Sequence, residues 1–274
     1  MKKSIFFGLI LTALSSGVKA APISVSGLDD FVMASGSSIG LGSEAHLYSS
    51  VGSDFYISMG SGVVVEGAAC SPALGIGAGA VIKQPGTTCP AGNYFKAQIA
   101  QISQQASGWA DASAAFDVTN TTALAAGNYT LSSLHLDAGE SLTISGNASD
   151  VAIINITGLA KLGSGAAIYL KGDISAQTVF FNFIDNAVAR SFEFGGAELS
   201  GTFLSSSRDY IMGDGATLQD SRFFTNGAIV ANVQDVIYRG VTEVSAPATG
   251  LLALTGVAGL LMRRRVKPQV SYSL

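Results

Sequence analysis

Two histidines, two cysteines and a scatter of acids are the residues of this chain with the means to do chemistry. His46 and His135 each sit in a polar, strand-like position with no second ligand at metal-binding spacing, so each reads as a surface or hydrogen-bonded residue. Asp137, Glu140, Asp173, Asp185, Asp209, Asp214 and Asp220 would interest us as paired acids working with a Lys or Arg on a polysaccharide. Most of them fall instead in Gly-containing turns, where a short carboxylate braces the local backbone. No regular Asp repeat suggests calcium. The Gly-rich run Gly75 to Ala80 follows Cys-Ser-Pro-Ala-Leu and leads into a β-type segment, so it reads as a turn, not a phosphate loop. No Gly-x-Ser-x-Gly, Walker or dinucleotide motif is present. The expectation is a protein that is not an enzyme, with no catalytic residue, no metal and no cofactor.

Cys70 and Cys89 have a different chemistry open to them. The chain begins with Lys2 and Lys3, an apolar run from Ile5 to Ala13, and small residues at Val18-Lys19-Ala20. That is the layout of a secretory signal peptide, residues 1–20, cut between Ala20 and Ala21. A buried amino-terminal helix is the alternative. Export to an oxidising compartment makes a Cys70–Cys89 disulfide the expectation, worth about 3 kcal/mol for a loop of that length. A net charge of −4 gives no reason to expect a nucleic-acid partner.

The elements that must carry these residues are short. Runs such as "SLTISG", "VAIINITG", "AAIYLKG" and "TVFFNF" are rich in Val, Ile, Phe, Tyr and Thr and are broken by Gly, Asp and Ser. One spacing recurs: an apolar residue, glycine three places on, and another apolar residue three places after that. It appears at Met59-Gly62-Val65, Ile76-Gly79-Ile82, Leu136-Gly139-Leu142, Leu162-Gly165-Ile168 and Met212-Gly215-Leu218. Gly36 to Gly62 and Gly139 to Gly165 are equal gaps. Ragged repeats of one-coil size favour a β-solenoid over residues 21–240. An antiparallel sandwich or barrel would use the same strands, but the hairpin dipeptides Asn-Gly and Asp-Gly are scarce. One helix interrupts the pattern at about 93–111. Phe95, Ile99, Ile102, Ala106 and Trp109 form its apolar face, and Asn93 is its expected N-cap.

The stretch carrying Leu124, Gly127 and Tyr129, then Val179 to Phe183, then Gly201 to Leu204 resembles two bacterial families, the choice-of-anchor A domain and the ice-binding-like domain. The likeness covers roughly Asn93 to Tyr238. It implies a right-handed parallel β-helix with one α-helix packed alongside. The carboxyl end, 241–274, resembles the PEP-CTERM sorting signal: Pro247-Ala248-Thr249, an apolar run from Leu251 to Met262, then Arg263, Arg264 and Arg265. Gly250 to Met262 would reach about 20 Å as a helix against a hydrocarbon core of roughly 30 Å, which suits a transient inner-membrane segment with its arginines on the cytoplasmic side. A permanent anchor and a buried core helix are the other readings of this segment.

Together these imply an exported, non-enzymatic surface or matrix protein. Its partners would be an exosortase-type sorting transpeptidase, the inner membrane for a time and, in an adhesion role, an exopolysaccharide. Two alternatives stand beside it. The first is ice binding, which needs a flat regular face, although Thr143, Thr157, Thr178, Thr202 and Thr217 form no evident one-per-coil column. The second is a carbohydrate-binding or polysaccharide-cleaving β-helix.

Overall fold

The computed structural model describes residues 23–85, 89–90, 92–109, 114–184, 191–214, 216–233 and 235–237. The signal segment, its cleavage site at Ala20 and Ala21, and the tail from 241 lie outside them, as does Asp185. The described strands pair only in parallel, which removes the antiparallel sandwich. They stack as a solenoid of three sheets, with one helix among the described residues.

The first coil shows the plan. Phe31–Ser35 lies in sheet I, Ser38–Leu41 in sheet II and His46–Leu47 in sheet III. The second coil repeats it with Ser50–Ser53, Tyr56–Met59 and Val64–Val65, and the third with Ala69–Cys70, Ala73–Ile76 and Val81–Ile82. The chain then runs through the helix Tyr94–Ser107 and restarts at Phe116–Val118 in sheet II. It coils onward to Asp235–Ile237 in sheet III. That last coil does not end the stack. It pairs with the first, through Met33↔Phe223 in sheet I, Ile39↔Ile229 in sheet II and Leu47↔Val236 in sheet III. The stack order is therefore the C-terminal coils followed by the three N-terminal ones.

Alternate residues of every strand point inward and meet their counterparts one coil away, about 4.8 Å off. Sheet I builds the row Ile154, Phe181, Phe203, Phe223, Met33 and Val51. The rings of Phe181, Phe203 and Phe223 stack nearly parallel, with centroids 5.0 Å apart at each step. All of these side chains are buried.

The recurring glycine spacing is the corner from sheet II to sheet III. Gly62, Gly79, Gly139 and Gly165 all have positive φ, between 71° and 79°, which spares them the clash a Cβ would meet. Their apolar flanks point inward, as at Met59 and Val65. In the first coil the same corner falls on Glu44, between Leu41 and Leu47, with φ 62°. Gly215 lies outside the described residues. Gly36 occupies a different corner, between sheets I and II, so its equal spacing from Gly62 reflects no shared position. The true coils are unequal in length, which is why the repeat is ragged.

Sheet I is buried on both faces because the helix lies along its outer side. Phe95, Ile99, Ile102 and Ala106 pack with Ala34, Ile153, Phe180, Leu204 and Phe224. The helix ends at Ser107, short of the expected 111, and Trp109 packs against the same cluster just past its end. Asn93 makes no side-chain cap. Asp54 does so from another coil: its Oδ1 accepts from Phe95 N at 3.1 Å and its Oδ2 from Lys96 N at 2.8 Å. At Gly52 the approach leaves no room for a side chain, since a Cβ would sit 2.1 Å from the Phe95 ring. Farther along, Asn182 links the strands to the helix. It accepts from Ser103 Oγ at 2.7 Å and donates to Asn155 Oδ1 at 2.8 Å, and Asn155 Nδ2 donates to Ala106 O.

Candidate functional site: the open faces of the solenoid

With sheet I covered, sheets II and III present the open faces. Their outward side chains form rows set by register. On sheet II one row runs His135, Lys161, Glu193, Ile211, Val230, Gly40, Ser58 and Gly75. A companion row near its lower end holds Ser38, Tyr56 and Ala73. Charge is confined to the first part. From Ile211 to Gly75 the row is uncharged for five rungs, a length of about 20 Å at the usual strand spacing. It is also low. Gly40 and Gly75 add no side chain, and a Cβ at Gly75 would lie 2.0 Å from the Tyr56 hydroxyl, so that ring lies across Gly75. Asp209 borders the patch, with its Oδ1 accepting from Ala228 N at 2.7 Å.

Sheet III differs. Its outward row at the matching level is Tyr48, Glu66 and Lys83. Glu66 Oε1 takes His46 Nε2 at 2.7 Å and Lys83 Nζ at 2.8 Å. The Lys83 ammonium, then the His46 ring, hold the Glu66 carboxyl below its usual range. His46 also stacks on Tyr48, with centroids 4.2 Å apart. Sequence reasoning missed Glu66 as the partner of His46, because the two are twenty residues apart and meet only through coil register. A cavity of about 610 Å³ opens beside this group, lined by Asp30, Phe31, Tyr48, Glu66 and Cys70 among others.

The remaining sequence candidates are dispersed. Glu140 Oε2 accepts from Asp137 N at 2.7 Å within one corner, which is turn bracing as expected. His135 Nε2 lies 3.5 Å from Asp137 Oδ1. Asp173 and Asp214 sit in exposed corners of other coils, and Asp220 takes a positive φ of 52°. Among the described residues no group of three or more His, Cys, Asp or Glu could hold a metal. Cys70 and Cys89 are bonded, with Cα atoms 5.1 Å apart. Asn155, one of four Asn-x-Ser/Thr positions, is fully buried in the helix contact. The sorting residues Pro247, Ala248, Thr249 and Arg263 to Arg265 lie outside the described residues, and no described helix is long and apolar enough to cross a membrane.

The same architecture recurs in solved structures. The fold is that of ice-binding proteins. One, from an Antarctic biological consortium, matches with a TM-score of 0.58 at 16% identity, covering 80% of this chain and 91% of that one. An Arctic yeast ice-binding protein with antifreeze activity, LeIBP, gives 0.55 at 16% identity, over 82% of this chain and 96% of its own. The DUF3494 domain of a Shewanella frigidimarina ice-binding protein gives 0.50 at 13% identity, over 81% and 99%. At such identity the likeness is one of architecture. No family model matches the sequence, and no curated protein matches it either.

Proposed function

We propose that this chain is an exported, non-catalytic ice-binding protein whose contact surface is the uncharged part of sheet II. The observation that carries the reading is the row Ile211, Val230, Gly40, Ser58 and Gly75 on a fold shared with proteins described as ice-binding. Ice is an uncharged, periodic lattice. A surface that meets it must be rigid, repeat at a fixed interval, and hold no ion whose hydration shell would have to be stripped. A parallel solenoid supplies the first two through its backbone, and the third comes from these residue types. The face has no threonine column; its rungs are small or aliphatic.

The terminal segments belong to the same proposal. Residues 1–20 direct export and are removed between Ala20 and Ala21. The coil is right-handed. The apolar run from Leu251 to Met262 holds the chain in the inner membrane until an exosortase-type transpeptidase acts near Pro247-Ala248-Thr249, with Arg263, Arg264 and Arg265 kept inside. Adhesion to an exopolysaccharide rests on these signals alone, and nothing in the described residues favours it over ice.

The test is thermal hysteresis and inhibition of ice recrystallisation with the protein recovered from the exporting cell, its ends read by mass spectrometry. Activity in the parent, lost in Val230→Lys and kept in Lys83→Ala, is the expected result. A parent with neither activity refutes the ice reading, and an intact Met1 with Leu274 present refutes the processing.

A further inference from the structure

The two ends of the stack are unlike. At one end the outermost strands are Phe116–Val118 and Thr122–Ala125. Asp117 lies there, its Oδ1 accepting from Ser133 Oγ at 2.6 Å, and the loop beyond is Thr119-Asn120-Thr121. Phe116 is exposed there too, but it is bordered by this carboxylate and the polar loop, as in the terminal coils that keep a solenoid soluble. At the other end stand Ala69–Cys70, Ala73–Ile76 and Val81–Ile82. The first is flanked by the chain that the Cys70–Cys89 disulfide pins back, with Gln84 N bonded to Gly67 O. The other two have no strand beyond them among the described residues.

Leu74 and Ile76 close two inward core rows, behind Ile57 and Met59. Their neighbours in those rows are buried, yet Leu74 is 40% exposed and Ile76 57%. Ile82 closes a third inward row, behind the buried Val65, and is itself only half-buried. These are core side chains with no next coil to cover them. No charged residue occurs from Gly67 to Ile82, so apart from Pro72, just ahead of the strand, the edge Ala73–Ile76 has no charge to guard it.

We propose that this end is a homodimer interface, in which two copies pair their Ala73–Ile76 strands antiparallel about a twofold axis at Gly75. Register decides the arrangement. With Gly75 opposite its own copy, Leu74 of one chain faces Ile76 of its partner. Residues opposite one another in an antiparallel pair share a face, so all four apolar side chains stay on the core side. Gly75 has no side chain to obstruct the axis. A second copy suits this end better than head-to-tail stacking, which would press it against Asp117 and the polar loop and propagate without closing. An uncharged surface also meets its own copy without repulsion. The consequence is functional. Pairing across the strand edge continues sheet II from one copy into the next, with both outer faces on the same side. Two uncharged patches then form one surface of double length.

Sedimentation of the full chain is the test. The expected mass is twice 27.9 kDa, falling to one chain in Leu74→Lys and Ile76→Lys and unchanged in the control Leu159→Lys, an exposed apolar residue of a distant coil. In the parent, amide exchange at 73–76 should slow as concentration rises. A single chain at the highest concentration reached, or a dimer that survives both lysine substitutions, overturns the proposal. So does exchange at 73–76 that ignores concentration. The ice assay does not enter this test, so either proposal can fail alone.

Discussion

Asp54 offers a direct measure of how the helix is held. It lies in the turn after Ser50–Ser53, buried, with both carboxylate oxygens bonded to the second and third amides of a helix that begins 40 residues later in the chain. Replacing it with alanine removes an N-cap, which costs about 1 kcal/mol in ordinary cases. It also strands Phe95 N–H, a buried donor, adding about 1 kcal/mol or more. The favourable placement of a negative charge at a helix N-terminus adds about 0.5 kcal/mol. The sum for Asp54→Ala is about 2–3 kcal/mol, or a fall in melting temperature of about 5–10 °C for a unit of this size. Asp54→Asn keeps one acceptor and loses the charge, so about half of that is expected. Asn93→Ala should cost under about 0.5 kcal/mol, because Asn93 makes no capping bond. Guanidinium and thermal unfolding of the three variants decide the matter. If Asn93→Ala costs as much as Asp54→Ala, or if Asp54→Ala costs less than about 0.5 kcal/mol, the capping argument is wrong.

Two further outcomes follow from single residues. Glu44→Gly should stabilise by about 0.5–1 kcal/mol in the same unfolding assay, since the left-handed backbone penalty of about 1–2 kcal/mol outweighs the extra chain entropy of glycine. A loss of stability would show that the Glu44 side chain contributes more than its backbone costs. Tyr210 is buried among Phe183, Phe192 and Phe223 with no partner for its hydroxyl, and burial pushes its phenol well above the ordinary value. The unfolded chain releases that proton at about pH 10 while the folded chain keeps it, so this residue's contribution is intact below pH 10 and lost as the pH rises beyond. Tyr210→Phe should therefore be as stable as the parent or more so at pH 7 and should unfold less readily at pH 11; equal alkaline unfolding of both proteins would refute it.

Much of the solenoid was legible because its rules are local. Glycine three places from each of two apolar residues is the signature of one corner, and it marks that corner at Gly62, Gly79, Gly139 and Gly165. The helix was visible through Phe95, Ile99, Ile102 and Ala106. What the sequence hid is whatever register creates. Asp54 and Phe95, His46 and Glu66, and Asn155 and Asn182 are remote or unremarkable in sequence, and each pair meets only when coils stack. Glu44 broke the glycine rule and so concealed a corner. The uncharged row of sheet II takes one residue from each of five coils, two of which lie on the far side of the helix in the chain, so no window of sequence displays it. The Gly36 coincidence shows the converse, a matching interval with no structural counterpart.

The order of the stack also constrains how the fold is completed. Residues 31–47 find their outer neighbours only when residues 221–237 have arrived. Before that, the Met33, Ile39 and Leu47 rungs lack the Phe223, Ile229 and Val236 rungs that cover them, and the three N-terminal coils form a fragment with two apolar ends. Closing that seam means bringing together segments nearly 190 residues apart, which is a costly loop to shut and a slow step. The helix reduces that cost. Asp54 ties its start to the second coil, and Asn155 and Asn182 tie its far end to coils of the C-terminal part. One rigid rod thus spans the seam and holds both halves in line across it. A chain that cannot finish its core until residues 221–237 are in place gains from such a device. The helix is therefore a splint for the junction as well as a cover for sheet I, and the flatness proposed for sheet II depends on that junction being continuous.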